Sequence, residues 1–313
     1  MIYRVQCLIH HRRPAAVRRM PSDCTVVVVL AFVLGALAEP TNLAAQWVKY
    51  PTSDVPRKAD GSVNMSAAAP RLLDGKPDFS GVWAAGEPRV QGAQSFTPDA
   101  GETPRPVINP DDDKPVDPGE INGGRQMSDM GIDLPGGLPY QPWLRSTVKE
   151  RMANKAIGDP HLRCLPDNFL RAYQLPHELK FLHSPRLLVM LNEMNAGYRQ
   201  IFTDGRPLPH DPTPSWQGYS SGKWSGDSLV IDTNGLRDDT WIDWNGSVVG
   251  EQAKVREEIR RPDFGHLEVR VTIDDPKAYT KPWTVTLKQR IVIDTELIDE
   301  ICLENEKSLQ HLK

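Results

Sequence analysis

A chain of 313 residues with a formal net charge of −4, its 37 Lys and Arg dispersed among 41 Asp and Glu, has no basic patch to hold nucleic acid. The partner expected is a small, partly apolar molecule or a protein. With 39% hydrophobic residues the chain can bury one large core, but its 28 Pro and 23 Gly fall heavily in the first half and keep ladders and helices short there.

The amino terminus reads as a targeting segment. Arg4, Arg12, Arg13, Arg18 and Arg19 precede an apolar run from Thr25 to Ala38, and small residues stand at Ala36-Leu37-Ala38 and Leu43-Ala44-Ala45. A basic region, an apolar stretch of about 14 residues and small-residue cleavage sites predict a secretory signal peptide over residues 1–45, cut after Ala38 or Ala45. The stretch is shorter than the ~20 residues a membrane span needs, so no stable span is expected after signal removal. Met20 offers a second start. The expected location is exported, periplasmic or extracellular. Of four cysteines only Cys164 and Cys302 lie beyond the signal, and an even pair in an oxidising space predicts a disulfide, with two buried free thiols as the alternative.

Residues 46–143 read as an extended Pro/Gly-rich arm packing on the core, with mobile pieces around 111–124. Two islands look anchored: Gly75–Trp83, where Phe79, Val82 and Trp83 can bury, and Leu138–Trp143. Residues 144–157 predict one short helix, with Leu144, Val148, Met152 and Ala156 on one stripe and Gly158-Asp159-Pro160 ending it.

Beyond Phe181 the apolar period becomes two. Leu187–Leu191, Tyr198–Phe202, a hairpin turning at Ser225-Gly226-Asp227 into Ser228–Thr233, then Ala253–Arg260, Leu267–Ile273, Trp283–Val292 and Glu296–Cys302 predict antiparallel strands. The fold expected for residues 144–313 is mainly β: a helix plus an antiparallel meander forming a barrel or half-barrel, with a sandwich as the runner-up. Leu229, Ile231, Val269, Val271, Val285 and Leu287 are the predicted interior.

The candidate site centres on Ser215–Gly246, which concentrates Trp216, Trp224, Trp241 and Trp244 beside Asp238 and Asp243. Aromatic walls from Tyr198, Trp216, Trp224 and Trp241 would bind an apolar body, and Arg199 and Arg206 could clamp a carboxylate. For acid–base chemistry the candidates are Asp238, Asp243, Glu257 and His266, with His266 paired to Glu257 or Glu268. No metal is expected, because none of the eight His falls in an H-x-H or H-x-x-x-H spacing. No cofactor is expected either: phosphate loops and dinucleotide fingerprints are absent, and Gly218-Tyr-Ser-Ser-Gly222 lacks the strand-then-helix context of a nucleophile elbow.

Four stretches carry a resemblance: GKPDFSGVW at 75–83, RCLPDN at 163–168, YRQIFTDGRPLPHDPTPSWQGYSSGKWSGDSLVIDTNG at 198–235, and RRPDFGHLEVRVTIDDPKAYTKPWTV at 260–285. Together they resemble an uncharacterised family of exported bacterial proteins, abundant in soil bacteria, over nearly the whole mature chain. The resemblance implies export but no activity. This sequence departs from the pattern after Trp241-Ile242-Asp243, where a Pro-His-Ser-Glu-like stretch is expected and Val248-Val249-Gly250-Glu251 stands instead. Three readings follow: an exported small-molecule-binding barrel, a cofactor-independent hydrolase, hydratase or isomerase, or an envelope structural or interaction protein working through its arm.

Overall fold

The computed structural model describes residues 50–86, 129–131, 134–154, 156–238 and 240–304. The segment 1–45 expected to be a signal peptide, the stretch 111–124 and the rest of 87–128 in the Pro-rich arm lie outside them.

The β-rich half folds as a closed barrel. In chain order its strands are β1 (Gly81–Ala85), β2 (Leu179–Ser184), β3 (Leu187–Asn192), β4 (Tyr198–Phe202), β5 (Tyr219–Ser225), β6 (Ser228–Asn234), β9 (Lys254–Arg260), β10 (His266–Asp274) and β11 (Trp283–Val292). Between β6 and β9, β7 (Thr240–Trp241) and β8 (Val248–Val249) form a separate two-stranded ribbon. Around the barrel the order is β1-β11-β10-β9-β6-β5-β4-β3-β2, closing on β1. The six predicted interior residues are all buried, as the period of two required.

Two features depart from a simple meander. β4 and β5 run parallel, paired only through Ile201–Ser220 and Phe202–Ser221, because the long connection 203–218 crosses over before β5 begins. And β1, which closes the barrel, comes from the segment read as an arm: Trp83 pairs with Ile291 of β11 on one side and Leu179 of β2 on the other. Its indole Nε1 donates to Phe79 O at 3.0 Å, so this aromatic island is part of the wall. Glu296–Cys302 does not form the expected last strand. It lies along the β3–β4 turn through a single bridge from Met194 to Glu300, and Ile298 N donates to Glu193 Oε1 at 3.2 Å.

The β5–β6 hairpin shows local chemistry deciding register. Ser225 pairs with Ser228, leaving Gly226 and Asp227 as the two turn residues, and Gly226 takes φ 60, the first position of a type II′ turn.

Among the described residues two α-helices, rather than the one expected, complete the fold. α1 (Pro142–Ala153) starts with proline in its first turn and buries Leu144 and Val148, with Met152 partly buried against the core. α2 (Phe169–Ala172) is one turn long, begins at Asn168, whose side chain accepts from Arg171 N, and is buried throughout. Its residues lack a polar face, so no amphipathic pattern announces it. It packs against interior side chains: the Arg199 guanidinium lies 3.5 Å from the Phe169 ring centroid, and Gln289 Nε2 donates to Tyr173 O at 2.7 Å.

A candidate ligand groove where two strands part

Because β4 and β5 share only two pairs, their walls separate towards Tyr198, and a groove of about 540 Å3 opens in the gap. Tyr198, Phe202, Trp216 and Tyr219 line it, with Met194 and Arg199. Phe202 and Tyr219 stack with centroids 5.2 Å apart. The Arg206 guanidinium lies 4.0 Å over Phe202, and that of Arg237 lies 4.5 Å over Trp216, so the aromatic faces already sit beside cations. Tyr198 is 62% exposed, so its ring is open to solvent at the groove.

The turn at the groove edge is strained. Asn195 and Ala196 take φ 52 and 48, and Gly197 N donates to Met194 O at 3.1 Å, the pattern of a type I′ turn. Asn tolerates that conformation; Ala pays a steric cost of about 1–2 kcal/mol. Asn195 also holds a donor in reserve. Its Oδ1 accepts from Cys302 N at 3.2 Å, while its Nδ2 is buried with no partner among the described residues. Strain and an unsatisfied donor at one groove wall are features that functional sites carry and inert turns shed.

On the other wall stands Asp167, which sequence reasoning missed. Its Oδ2 lies 2.6 Å from Nδ1 of His161, and its Oδ1 lies 3.2 Å from Nε of Arg171, whose terminal nitrogens hold Asp159. The carboxylate therefore orients the imidazole. His177, bound to Glu300 at 3.0 Å, is pushed to lower pKa, chiefly by burial and in part by the charge of His161. The signal that could have exposed this pair was His161-Leu-Arg-Cys-Leu-Pro-Asp167, a tight segment that carries one cysteine of the disulfide. Cys164 and Cys302 are bonded, with Cα atoms 5.3 Å apart, so the expected bridge is present and ties this segment to the one carrying Glu300.

The other sequence candidates are dispersed. Glu257 is buried inside the barrel, held by Arg199 through both carboxylate oxygens and by Tyr173 OH at 3.0 Å. Arg199 is thus committed to Glu257, Ser220 and Thr233 rather than poised as a free carboxylate clamp. Arg206 is likewise paired, with Asp204. His266 faces the opposite side of the sheet from Glu257 and bonds Asp263 at 2.7 Å; its strand neighbour Leu267 faces in. The parity of β10 forbids a His266–Glu257 pair.

Asp243 is fully buried at the ribbon, accepting from Met130 N at 3.1 Å and Ser247 N at 2.9 Å. Burial raises its pKa, and those bonds work against the rise. Asp238 is bound by Lys277 and by Glu251 N. Trp241 packs under Arg151 at 4.5 Å, and Trp224 packs on Phe79 at 5.3 Å. Of the expected aromatic wall, the groove brings together Tyr198 and Trp216 and leaves out Trp224 and Trp241.

Among the described residues no three His, Cys, Asp or Glu side chains stand close enough to hold a metal ion. None of the described helices is long and apolar enough to cross a membrane. Compared with known families and with curated proteins, the sequence finds no match.

Proposed function

We propose that the protein is an exported binding protein that takes a small, partly aromatic molecule into the groove between β4 and β5. The observation that carries this reading is the convergence of Tyr198, Phe202, Trp216 and Tyr219 on one concavity where the barrel wall parts. Aromatic walls give binding area at small entropic cost, and a few polar groups fix orientation. Asn195, at the groove edge, has an Nδ2 that is buried without a partner among the described residues. The barrel interior is occupied by its own side chains and by α2, which moves the site from the lumen to the wall. Export is supported by the basic and apolar leader and by the Cys164–Cys302 bridge, and kinship with the exported bacterial family belongs to the same proposal.

The test is a thermal-shift screen of aromatic carboxylates, phenols and neutral heteroaromatics, followed by tryptophan fluorescence titration of each hit. Trp216→Ala and Tyr198→Ala should weaken the hits at least ten-fold. Hits that stabilise wild type and both variants alike would overturn the groove as the site.

A second reading, acid–base chemistry beside the groove, rests on the His161–Asp167 pair, of which Asp167 lines the groove, rather than on Asp238, Asp243, Glu257 or His266. An imidazole oriented by a carboxylate is the arrangement a general base needs. Turnover of any hit that His161→Ala abolishes, with binding intact, would establish it; hits bound but never altered by wild type would remove it.

A further inference from the structure

Where the arm crosses the β5–β6 hairpin there is a second concavity, about 310 Å3, lined by Ala68, Ala69, Arg71, Asp227, Arg260 and Arg261. Three arginines and one carboxylate are among its lining residues. Arg71 takes up that carboxylate with a two-pronged pair to Asp227 at 2.9 and 2.8 Å. The Arg260 side chain, at the end of β9 on its outer face, makes no hydrogen bond or ion pair among the described residues, although Glu268 stands opposite it in register on β10 and the guanidinium charge acts on Asp227.

Arg261 is the unusual member. It is 94% buried by its 6% exposure, lies 4.8 Å over the Trp83 ring, and is held by carbonyls alone: Asp263 O, Asp78 O, Ser80 O and Phe264 O. A guanidinium has five N–H donors, so four carbonyl contacts leave one over. The two carboxylates that act on its charge, Asp78 and Asp263, are turned to other groups: Asp78 accepts from Ser80 N, and Asp263 accepts from Gly265 N and pairs with His266. A desolvated cation without a carboxylate in contact is costly, and burial lowers its pKa to about 10.

We propose that this notch is a binding site for a doubly charged tetrahedral oxyanion, a phosphate or sulfate group held between Arg260 and Arg261. The oxyanion would supply the counter-charge that Arg261 lacks, and Arg260 would close over it from the barrel surface. Ala68, Ala69 and Pro262 contribute apolar walls that thin the water around the pair and strengthen the attraction. Arg71 stays with Asp227, so no existing ion pair has to break. The site is separate from the aromatic groove and stands whether or not that groove binds a ligand.

The experiment is a calorimetric and NMR titration of the exported chain with sodium phosphate, and separately with sodium sulfate, ionic strength being held constant with sodium chloride. Saturable binding is expected for both anions and not for chloride, with the Nε–H resonance of Arg261 shifting along the titration. Arg260→Ala, on an exposed position, should keep the fold and weaken binding about ten-fold. A shift that never saturates, or one equal in wild type and Arg260→Ala, would mean a general salt effect and overturn the site. An unmoved Arg261 resonance during saturable binding would place the anion elsewhere and overturn it equally.

Discussion

Inside the barrel the Arg199 guanidinium meets the Glu257 carboxylate through both of its terminal nitrogens, and neither side chain reaches water. Arg199 comes from β4 and Glu257 from β9, strands that are not neighbours, so the pair spans the interior. Ser220, Thr233 and Tyr173 complete the bonding. Breaking such a pair leaves an uncompensated buried charge, so Glu257→Gln or Arg199→Met alone should cost about 3–5 kcal/mol in chemical denaturation. The double change Arg199→Met with Glu257→Leu should recover much of that loss. If the two single losses simply add in the double variant, the pair is not the unit described here.

Glu193 makes stability depend on pH. Burial, followed by a hydrogen bond with the Glu178 side chain, raises its pKa from 4.5 to about 7. The folded state therefore holds this proton more tightly than the unfolded chain does. Its stabilising effect is complete below about pH 4.5 and is lost as pH climbs through 7, a difference on the order of 1–3 kcal/mol. Ile298 N and Glu178 N both donate to Glu193 and favour its charged form, so the loss on raising pH comes from burial and from the Glu178 side-chain contact, against which those two bonds work. Melting curves from pH 4.5 to 8 should show a decline that Glu193→Gln flattens. A decline of equal slope in the variant would assign it to other groups.

Removal of the disulfide should be expensive. Cys164 and Cys302 are 138 positions apart, and a loop of that size corresponds to roughly 5 kcal/mol of unfolded-chain entropy, with 2–5 kcal/mol usual for native bridges. The double variant Cys164→Ser with Cys302→Ser should unfold at correspondingly lower denaturant concentration than the oxidised wild type. Coincident curves would show that the bridge contributes no net stability.

The turn at the groove offers a test of stored strain. Ala196→Gly should stabilise the fold by about 1 kcal/mol, because glycine takes φ 48 without a Cβ clash. A destabilised variant would show that the alanine methyl packs better than it strains. Ligand affinity measured alongside reports whether the strained turn sets the groove's shape.

Asp243 is expected to matter for folding and not for ligand. Asp243→Ala leaves Met130 N and Ser247 N without their acceptor in a buried site, a loss of about 2–4 kcal/mol. Binding at the groove, measured at a temperature where the variant is folded, should be unchanged. A variant of normal stability that has lost ligand affinity would return Asp243 to the site.

What the amino-acid sequence determined by itself were the properties that depend on neighbours along the chain. Alternation placed Val269, Val271, Val285 and Leu287 inward, because each residue along a strand faces opposite to the last. Gly226-Asp227 set the β5–β6 register through the turn that glycine permits. The pairing of Cys164 with Cys302 was expected because no other cysteine follows residue 24. What the tertiary structure alone decided were relations between distant segments. Gly75–Trp83 reads as an anchored aromatic island of the arm, and only the closing of the sheet makes Gly81–Ala85 the strand between β11 and β2. Glu257 and Arg199 read as separate candidates for chemistry, until the curvature of the barrel brings them into one buried pair. Trp216 and Tyr198 share a groove while Trp224 and Trp241 do not, because the parallel β4–β5 seam parts beside the first two. Local preference acts over a few residues, whereas strand order and closure are fixed by burying the whole apolar face at once, a quantity no short window contains.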